Sequence, residues 1–234
     1  MMTTAIFQNI RAVAFDLDGT LVDAFDDLAA SVNHARKMMH KAPLSVEQVT
    51  RGVGYGIQML ARRTVLEISD TDPNVCAEEL ERAVGFIQSH YKEHHCEQTR
   101  LYPGVREGLA QLRSAGLRLA VLTNKPAALA LPVLEHFGIT QEFECVIGGM
   151  DEFPHKPAPD GLMHIMLRLG VETHETLMVG DGRADAGTAQ AAGVPFCAVA
   201  WGASSREDLQ TFGAARIVDS FEELVEAIHP ANPN

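Results

Sequence analysis

Positive charge is scarce in this chain. Of 234 residues, 19 are Lys or Arg against 31 Asp or Glu, a formal net charge of −12. That balance argues against nucleic acid or an anionic membrane surface as a partner, because both select basic patches. It leaves room for a small phosphorylated metabolite, since one local lysine and a divalent cation reverse the field inside a single cleft. Long apolar runs are missing as well: none approaches the ~18 residues that read as a membrane-spanning helix. The N-terminus lacks the basic region and apolar core of a secretion signal. Cysteine is sparse. Cys76, Cys96, Cys145 and Cys197 show no zinc-like spacing, and Cys145 and Cys197 sit in apolar runs, as core thiols do. A reducing cytoplasm is the compartment these features suggest. Internal repeats and low-complexity tracts are absent.

What is present is organised in two styles. From residue 101 onward, strand-like and helix-like segments alternate. Leu117–Thr123, Cys145–Gly149, Thr176–Asp181, Pro195–Trp201 and Arg216–Asp219 read as strands, with helical segments near 105–115, 126–137, 159–169, 184–192, 204–212 and 220–228. Gly116, Gly138, Gly170 and Gly193, each followed by an apolar residue, mark helix ends. The alternation predicts an α/β fold with a mainly parallel sheet. Residues 24–100 differ. Phe25, Leu28, Ala29, Val32, Ala35 and Met39 follow helical spacing, as do Ile57 to Ile68 and Leu80, Val84, Ile87 and Tyr91. Ser45-Val46-Glu47-Gln48 fits a capping box. The expected organisation is a core of residues 1–23 and 101–234 with an all-helical cap inserted at 24–100. A polar tail, Pro230–Asn234, is expected to be disordered. In an open parallel sheet the site lies beyond the C-terminal strand ends, and an insertion emerging there covers it as a lid.

The chemistry-bearing residues cluster at those strand ends. The apolar run Ile10–Phe15 leads into Asp16-Leu17-Asp18-Gly19-Thr20, with Asp23 close behind. Two carboxylates two residues apart share one side of the chain. Both remain ionised only with a cation or proton nearby, an arrangement suited to a nucleophile beside an acid/base with Mg²⁺. Asp-Gly-Thr alone reads equally as a turn; the full run is far rarer. Three further features fall at strand ends: Thr123-Asn124, whose hydroxyl and amide can hold a phosphate oxygen; Lys156, whose charge can neutralise phosphate and carboxylates; and Gly180-Asp181-Gly182-Arg183-Ala184-Asp185, hard oxygen ligands of the kind Mg²⁺ takes. Each is commonplace by itself; their order along one sheet is not.

Together these four motifs resemble the haloacid dehalogenase-like hydrolase superfamily, over almost the whole chain. The insertion is similar to the helical-cap subgroup. Tyr102-Pro103-Gly104-Val105, Thr123-Asn124-Lys125-Pro126, Val146-Ile147-Gly148-Gly149 and, more loosely, Val53-Gly54-Tyr55-Gly56 look like its phosphoglycolate phosphatase branch. The resemblance implies a Rossmann-like core and a Mg²⁺-dependent phosphomonoesterase. Asp16 would form an aspartyl-phosphate and Asp18 would act as acid and then base. Mg²⁺ would be bound by the Asp16 carboxylate, the Asp18 backbone carbonyl and Asp181, with Asp185 in support. Thr123, Asn124, Lys156 and the Asp18-Gly19 backbone would position the phosphate. Gly182 departs from the family, which often has serine or threonine there; weaker support of the metal is expected. A phosphomutase of the β-phosphoglucomutase type and an inorganic pyrophosphatase remain alternatives. A dehalogenase would leave Asp18 superfluous. Phosphonate hydrolysis calls for an amine-forming cap lysine, and nothing marks Lys37, Lys41 or Lys92 as buried. A non-catalytic relative would have lost one of Asp16, Asp18, Lys156 or Asp181, and all are present. His90 and His94 are one helical turn apart without a further zinc ligand at suitable spacing, so they read as an exposed helix end. Arg51 reads equally as a surface residue or as a contact to a substrate carboxylate.

Overall fold

A central sheet with helices on both faces is dictated by the alternation inside its strands. The computed structural model describes residues 6–149 and 153–230. In chain order the elements are β1 (Phe7–Ile10), β2 (Ala12–Phe15), β3 (Val22–Asp23), α1 (Phe25–Met38), α2 (Val46–Thr50), α3 (Ile57–Leu60), α4 (Ala77–His94), β4 (Arg100–Leu101), α5 (Val105–Ser114), β5 (Arg118–Pro126), α6 (Ala127–His136), β6 (Cys145–Gly149), α7 (Asp160–Leu169), β7 (Thr176–Gly180), α8 (Arg183–Ala192), β8 (Phe196–Val199), α9 (Arg206–Thr211), β9 (Arg216–Val218), α10 (Phe221–Ala227) and β10 (Ile228–Pro230). Six strands form one parallel sheet in the order β6-β5-β2-β7-β8-β9.

Val13, Phe15, Val121 and Val179 point to one face, into an apolar cluster with Leu109, Leu134 and Phe221. Ala12, Ala14, Ala120 and Met178 point to the other, against Leu162, Ile165 and Ala189. The period of two divides each strand between two helical layers, which is why all four residues of β2 are buried. Phe15 stacks on Phe221 with ring centroids 6.0 Å apart, and burying such a ring stabilises by roughly 2–3 kcal/mol. Placing β2 in the middle of the sheet, with the sheet order reversing around it, sets the end of β2 at the crevice such folds use for ligands.

The helical segment leaves the core through β3 and returns through β4. These pair antiparallel, Val22 with Leu101 and Asp23 with Arg100. Just beyond β3, buried Asp27 in the first turn of α1 accepts hydrogen bonds from the backbone amides of Gln98 and Thr99 and from the Thr99 hydroxyl, at 2.6–3.1 Å. The chain's exit is thereby tied to its entry. Helices α1 and α4 pack on each other, and their buried residues Val32, Ala83, Ile87 and Tyr91 join the same cluster as the core face below. The capping box at α2 is present in both directions: Gln48 N donates to Ser45 Oγ at 3.2 Å and Ser45 N to Gln48 Oε1 at 2.9 Å.

Three local differences from the sequence pattern have physical causes. The helix expected over Ile57–Ile68 is regular only through Leu60 and continues as a π-helical stretch, Ala61–Leu66, ending at Glu67 with φ of 59°. The Thr64 hydroxyl donates to Leu60 O and the Arg36 guanidinium to Thr64 O, so side chains compete there with the ladder. Strand β5 runs past Thr123 to Pro126, with a register shift between Leu122 and Pro126. Pro230, expected in a disordered tail, pairs with Ile10; the remainder of that tail lies outside the described residues. Among the described residues no helix is long and apolar enough to cross a membrane.

Candidate active site

The backbone turns out of β2 directly after Asp16. The Asp16 Oδ1 atom accepts from Leu17 N at 2.7 Å and lies 2.8 Å from Lys156 Nζ. Gly19 follows with φ of +84°, and a Cβ there would lie 2.3 Å from Asp181 Oδ2. A Cβ at Gly202 would also stand 2.3 Å from the Asp181 side chain. Asp181 therefore sits in a cradle that only glycine walls leave open. Its Oδ2 accepts from Ala203 N at 2.7 Å and its Oδ1 from the Thr20 hydroxyl at 3.3 Å. Asp185, in the first turn of α8, accepts from Gly182 N at 3.0 Å and from Lys156 Nζ at 2.6 Å.

Asp16, Asp181 and Asp185 are all buried, and one ligand oxygen from each lies within 4.8 Å of the others. Burial, reinforced by the neighbouring carboxylates, raises Asp181 above the usual carboxylate range. Burial also raises Asp185, against the pull of Lys156. Lys156 is itself held protonated despite burial, by Asp16 and Asp185. Counting Asp18 and its partner Lys125, four carboxylates face two ammonium groups. With all four ionised the surplus would be two negative charges, which one divalent cation would balance. Three converging carboxylates in a glycine-walled cradle are a hard-oxygen donor set suited to Mg²⁺.

The carboxylate of Asp18 stands apart from that group. Lys125 Nζ donates to its Oδ1 at 2.7 Å and its Oδ2 at 3.0 Å, and the same ammonium donates to the Tyr91 hydroxyl at 2.7 Å. Asp16 and Asp18 are thus given different surroundings by side chains from different elements. Asp16 shares a lysine with Asp185, and Asp18 has a lysine to itself.

The other expected site residues are placed as follows. Thr123 lines the cavity; its oxygen accepts from Lys125 N at 3.2 Å, which leaves its O–H to donate. Asn124 is engaged within the protein. Its amide donates at 2.9 Å to both Lys156 O and Gly54 O, and its oxygen accepts from Lys156 N at 2.8 Å. With both amide hydrogens engaged, the side chain fixes the Lys156 loop and a cap loop. The Gly19 N–H donates to Val22 O at 2.9 Å, closing the turn, and the residue leaves space beside Asp181. Lys156 lies under the cavity floor, its ammonium inserted between Asp16 and Asp185, so its first effect is on the carboxylates.

Two residues that sequence reasoning passed over complete the site. Lys125 falls in the run Thr123-Asn124-Lys125-Pro126, which by itself gives it no role. Tyr91 is one position of an apolar helical stripe in the sequence, which describes its ring and hides its hydroxyl. Of the histidines near the end of α4, His90 bonds Ser31 Oγ at 3.0 Å and His94 bonds Glu97 at 2.7 Å; among the described residues neither joins a metal-binding group.

The cap roofs this arrangement with Leu28, Ile57, Leu60, Ile87 and Tyr91, enclosing about 300 Å³ above Asp16, Asp18 and Asp181. Arg51 from the cap and Arg183 from the core also line it. Arg51 is mostly exposed and paired with Glu47 at 2.5 Å, and Arg183 lies over the Phe212 ring.

Comparison with known proteins agrees with this geometry. A family model described as haloacid dehalogenase-like hydrolase matches residues 13–199. A phosphoglycolate phosphatase of Chromobacterium violaceum is 39% identical over 220 residues, covering 94% of this chain and 96% of that protein. One from Nitrosospira multiformis is 37% identical over 224 residues, covering 95% and 97%. The crystal structure described as a predicted phosphoglycolate phosphatase from Haemophilus somnus superimposes with a TM-score of 0.86 at 30% identity, covering 93% of this chain and 97% of that one.

Proposed function

The chain belongs to the haloacid dehalogenase-like hydrolase family, and from that premise we propose that it is a Mg²⁺-dependent phosphatase of small phosphomonoesters, with phosphoglycolate as its substrate. The observation that carries the reading is the separation of Asp16 from Asp18. One acid lies among lysine and metal-ligand carboxylates at the end of β2, and the other is held by Lys125 under the cap.

In the first half-reaction a carboxylate oxygen of Asp16 attacks phosphorus and the ester P–O bond breaks. The departing alcohol oxygen takes a proton from Asp18. In the second, water attacks the aspartyl-phosphate at phosphorus and gives a proton to Asp18. The bond to Asp16 breaks, inorganic phosphate leaves and both side chains are restored. Lys156 Nζ, 2.8 Å from Asp16 Oδ1, orients that side chain for attack, and the Thr123 hydroxyl donates to a phosphoryl oxygen. Asp16, Asp181 and Asp185 would hold Mg²⁺, which when bound offsets charge on the phosphoryl group as a Lewis acid. The cap excludes water from most of the cavity while the first step proceeds.

Phosphoglycolate is supported by the relatives' activity and by the cavity itself. Its volume suits a small ester, its roof of Leu28, Ile57, Leu60 and Ile87 offers little to the hydroxyls of a sugar ring, and Arg51 and Arg183 bring positive charge to its lining for a second anionic group. The same reading places the enzyme in a reducing cytoplasm, supported by four free cysteines, of which Cys145 and Cys197 are buried.

The test is phosphate release with Mg²⁺ across phosphoglycolate, sugar phosphates, nucleotides and pyrophosphate, with Asp16→Asn as control. Preference for phosphoglycolate, abolished in the variant, is the expected result. Preference for another monoester removes the substrate assignment, and silence across the panel from folded protein removes the phosphatase.

A further inference from the structure

The contact between Lys125 and Tyr91 joins two parts of the molecule that the reaction needs together. Lys125 belongs to the C-terminal end of β5, and Tyr91 belongs to the last turns of α4 in the cap. Tyr91 is 1% exposed and Lys125 8%. The ammonium has three hydrogens and three oxygen acceptors around it: both Asp18 carboxylate oxygens and the Tyr91 hydroxyl. It also lies 4.3 Å from the centre of the Tyr91 ring. A charged lysine this deeply buried is costly to maintain unless its partners are fixed. Here one partner is the reacting acid and the other is the hydroxyl of a cap residue.

We infer that Lys125 is a positioning residue for Asp18, and that Tyr91 makes this positioning depend on the cap being seated over the core. Lys125 fixes the carboxylate by both oxygens. A lysine side chain has four flexible carbons and needs a second anchor to fix its ammonium; the Tyr91 hydroxyl supplies it. With the cap displaced, the anchor leaves with α4, and Asp18 loses its alignment. The acid/base is therefore aligned when the cavity is closed to water, and loosened when it is open. The inference rests on the phosphatase reading, since it concerns the residue that protonates the leaving alcohol.

The dependence on leaving group tests it. Lys125→Met and Tyr91→Phe would be compared with wild type on an alkyl phosphate, whose alcohol must be protonated to leave, and on p-nitrophenyl phosphate, whose phenolate leaves without help. The quantity read is kcat/KM, which reports the steps through breakage of the ester bond. Folding is checked by circular dichroism. Lys125→Met is expected to lose about 10²-fold or more on the alkyl ester, the usual scale for disabling an acid/base, and under about 10-fold on p-nitrophenyl phosphate. Tyr91→Phe removes one oxygen, keeps the packed ring, and is expected to shift the same ratio in the same direction by several-fold. Equal losses on the two esters, or a ratio unchanged in both variants, overturn the inference and leave the phosphatase standing. A wild-type chain that hydrolyses neither ester overturns both.

Discussion

Gly182 shows how one residue's absence of a side chain can be measured. It occupies the start of α8, between metal-ligand candidates Asp181 and Asp185, where the family resemblance leads one to expect a hydroxyl. Its backbone is extended, with φ of −135°, and a Cβ placed there would meet Asp185 Oδ2 at 3.5 Å, an ordinary contact. Nothing in the backbone therefore requires glycine. Serine should fit, cap the helix as serine ordinarily does, and offer a hydroxyl to the ligand shell. Gly182→Ser is expected to lower the Mg²⁺ concentration for half-maximal activity by about 10-fold, the lower end of what such outer partners contribute. A Mg²⁺ titration of phosphate release checks this; an unchanged midpoint would mean that backbone and carboxylates already saturate the site. At this scale the sequence was informative where residue type fixes the chemistry, as at Asp16, Asp181 and Asp185, which the fold brings together. It was silent on how hydrogen bonds are allotted. Asn124 has the donors a phosphate needs, yet its partners are Lys156 and Gly54, residues 32 and 70 positions away. No local pattern states that.

Among elements, the joint between the helical insertion and the core is where most depends on few atoms. Asp27 holds the exit segment by both oxygens, and the amides of Gln98 and Thr99 would be buried or half-buried without an acceptor if it were removed. Hydrogen bonds to charged groups contribute roughly 1.5–3 kcal/mol, and orphaned donors add their desolvation cost. Asp27→Ala should lower unfolding free energy by about 3 kcal/mol in urea titrations, with added loss of activity as α1 and α4 shift over the site. A change within about 0.5 kcal/mol would show that β3 and β4 hold the joint without it. The sheet itself was readable because β2 and β7 are short apolar runs ending in acids, and because glycines punctuate the helices between them. The seat of α4 was not readable. Its stripe Leu80, Val84, Ile87 and Tyr91 announces a buried face, but which core strand lies beneath is decided by packing between residues far apart in sequence. Lys125 was hidden for a related reason: β5 continues three residues past Thr123, through a register shift, before its lysine reaches Asp18.

At the scale of the whole molecule, an acidic chain concentrates further negative charge at the centre of its own fold, and the balance between protons and metal follows from that. Without a divalent cation, Asp181 and Asp185 bind protons more readily in the folded chain than in the unfolded one, because burial and facing carboxylates raise both. A folded state that holds extra protons is favoured by acid. This contribution to stability is complete below the unfolded carboxylate value of about 4. It is lost as pH climbs through about 6 for Asp185 and about 8 for Asp181. Mg²⁺ replaces those protons and stabilises the folded form by mass action. Because it competes with fewer protons at higher pH, its effect should grow across the same interval. Thermal unfolding followed between pH 5.5 and 8.5, with EDTA and with excess Mg²⁺, should give two curves that lie close together at the acid end and separate toward the alkaline end. Asp181→Asn, which removes the most strongly raised carboxyl, should narrow the gap at pH 8 and flatten the EDTA curve. Parallel curves at all pH values would mean that metal and protons do not share this site, and the assignment of Asp16, Asp181 and Asp185 as its ligands would fall.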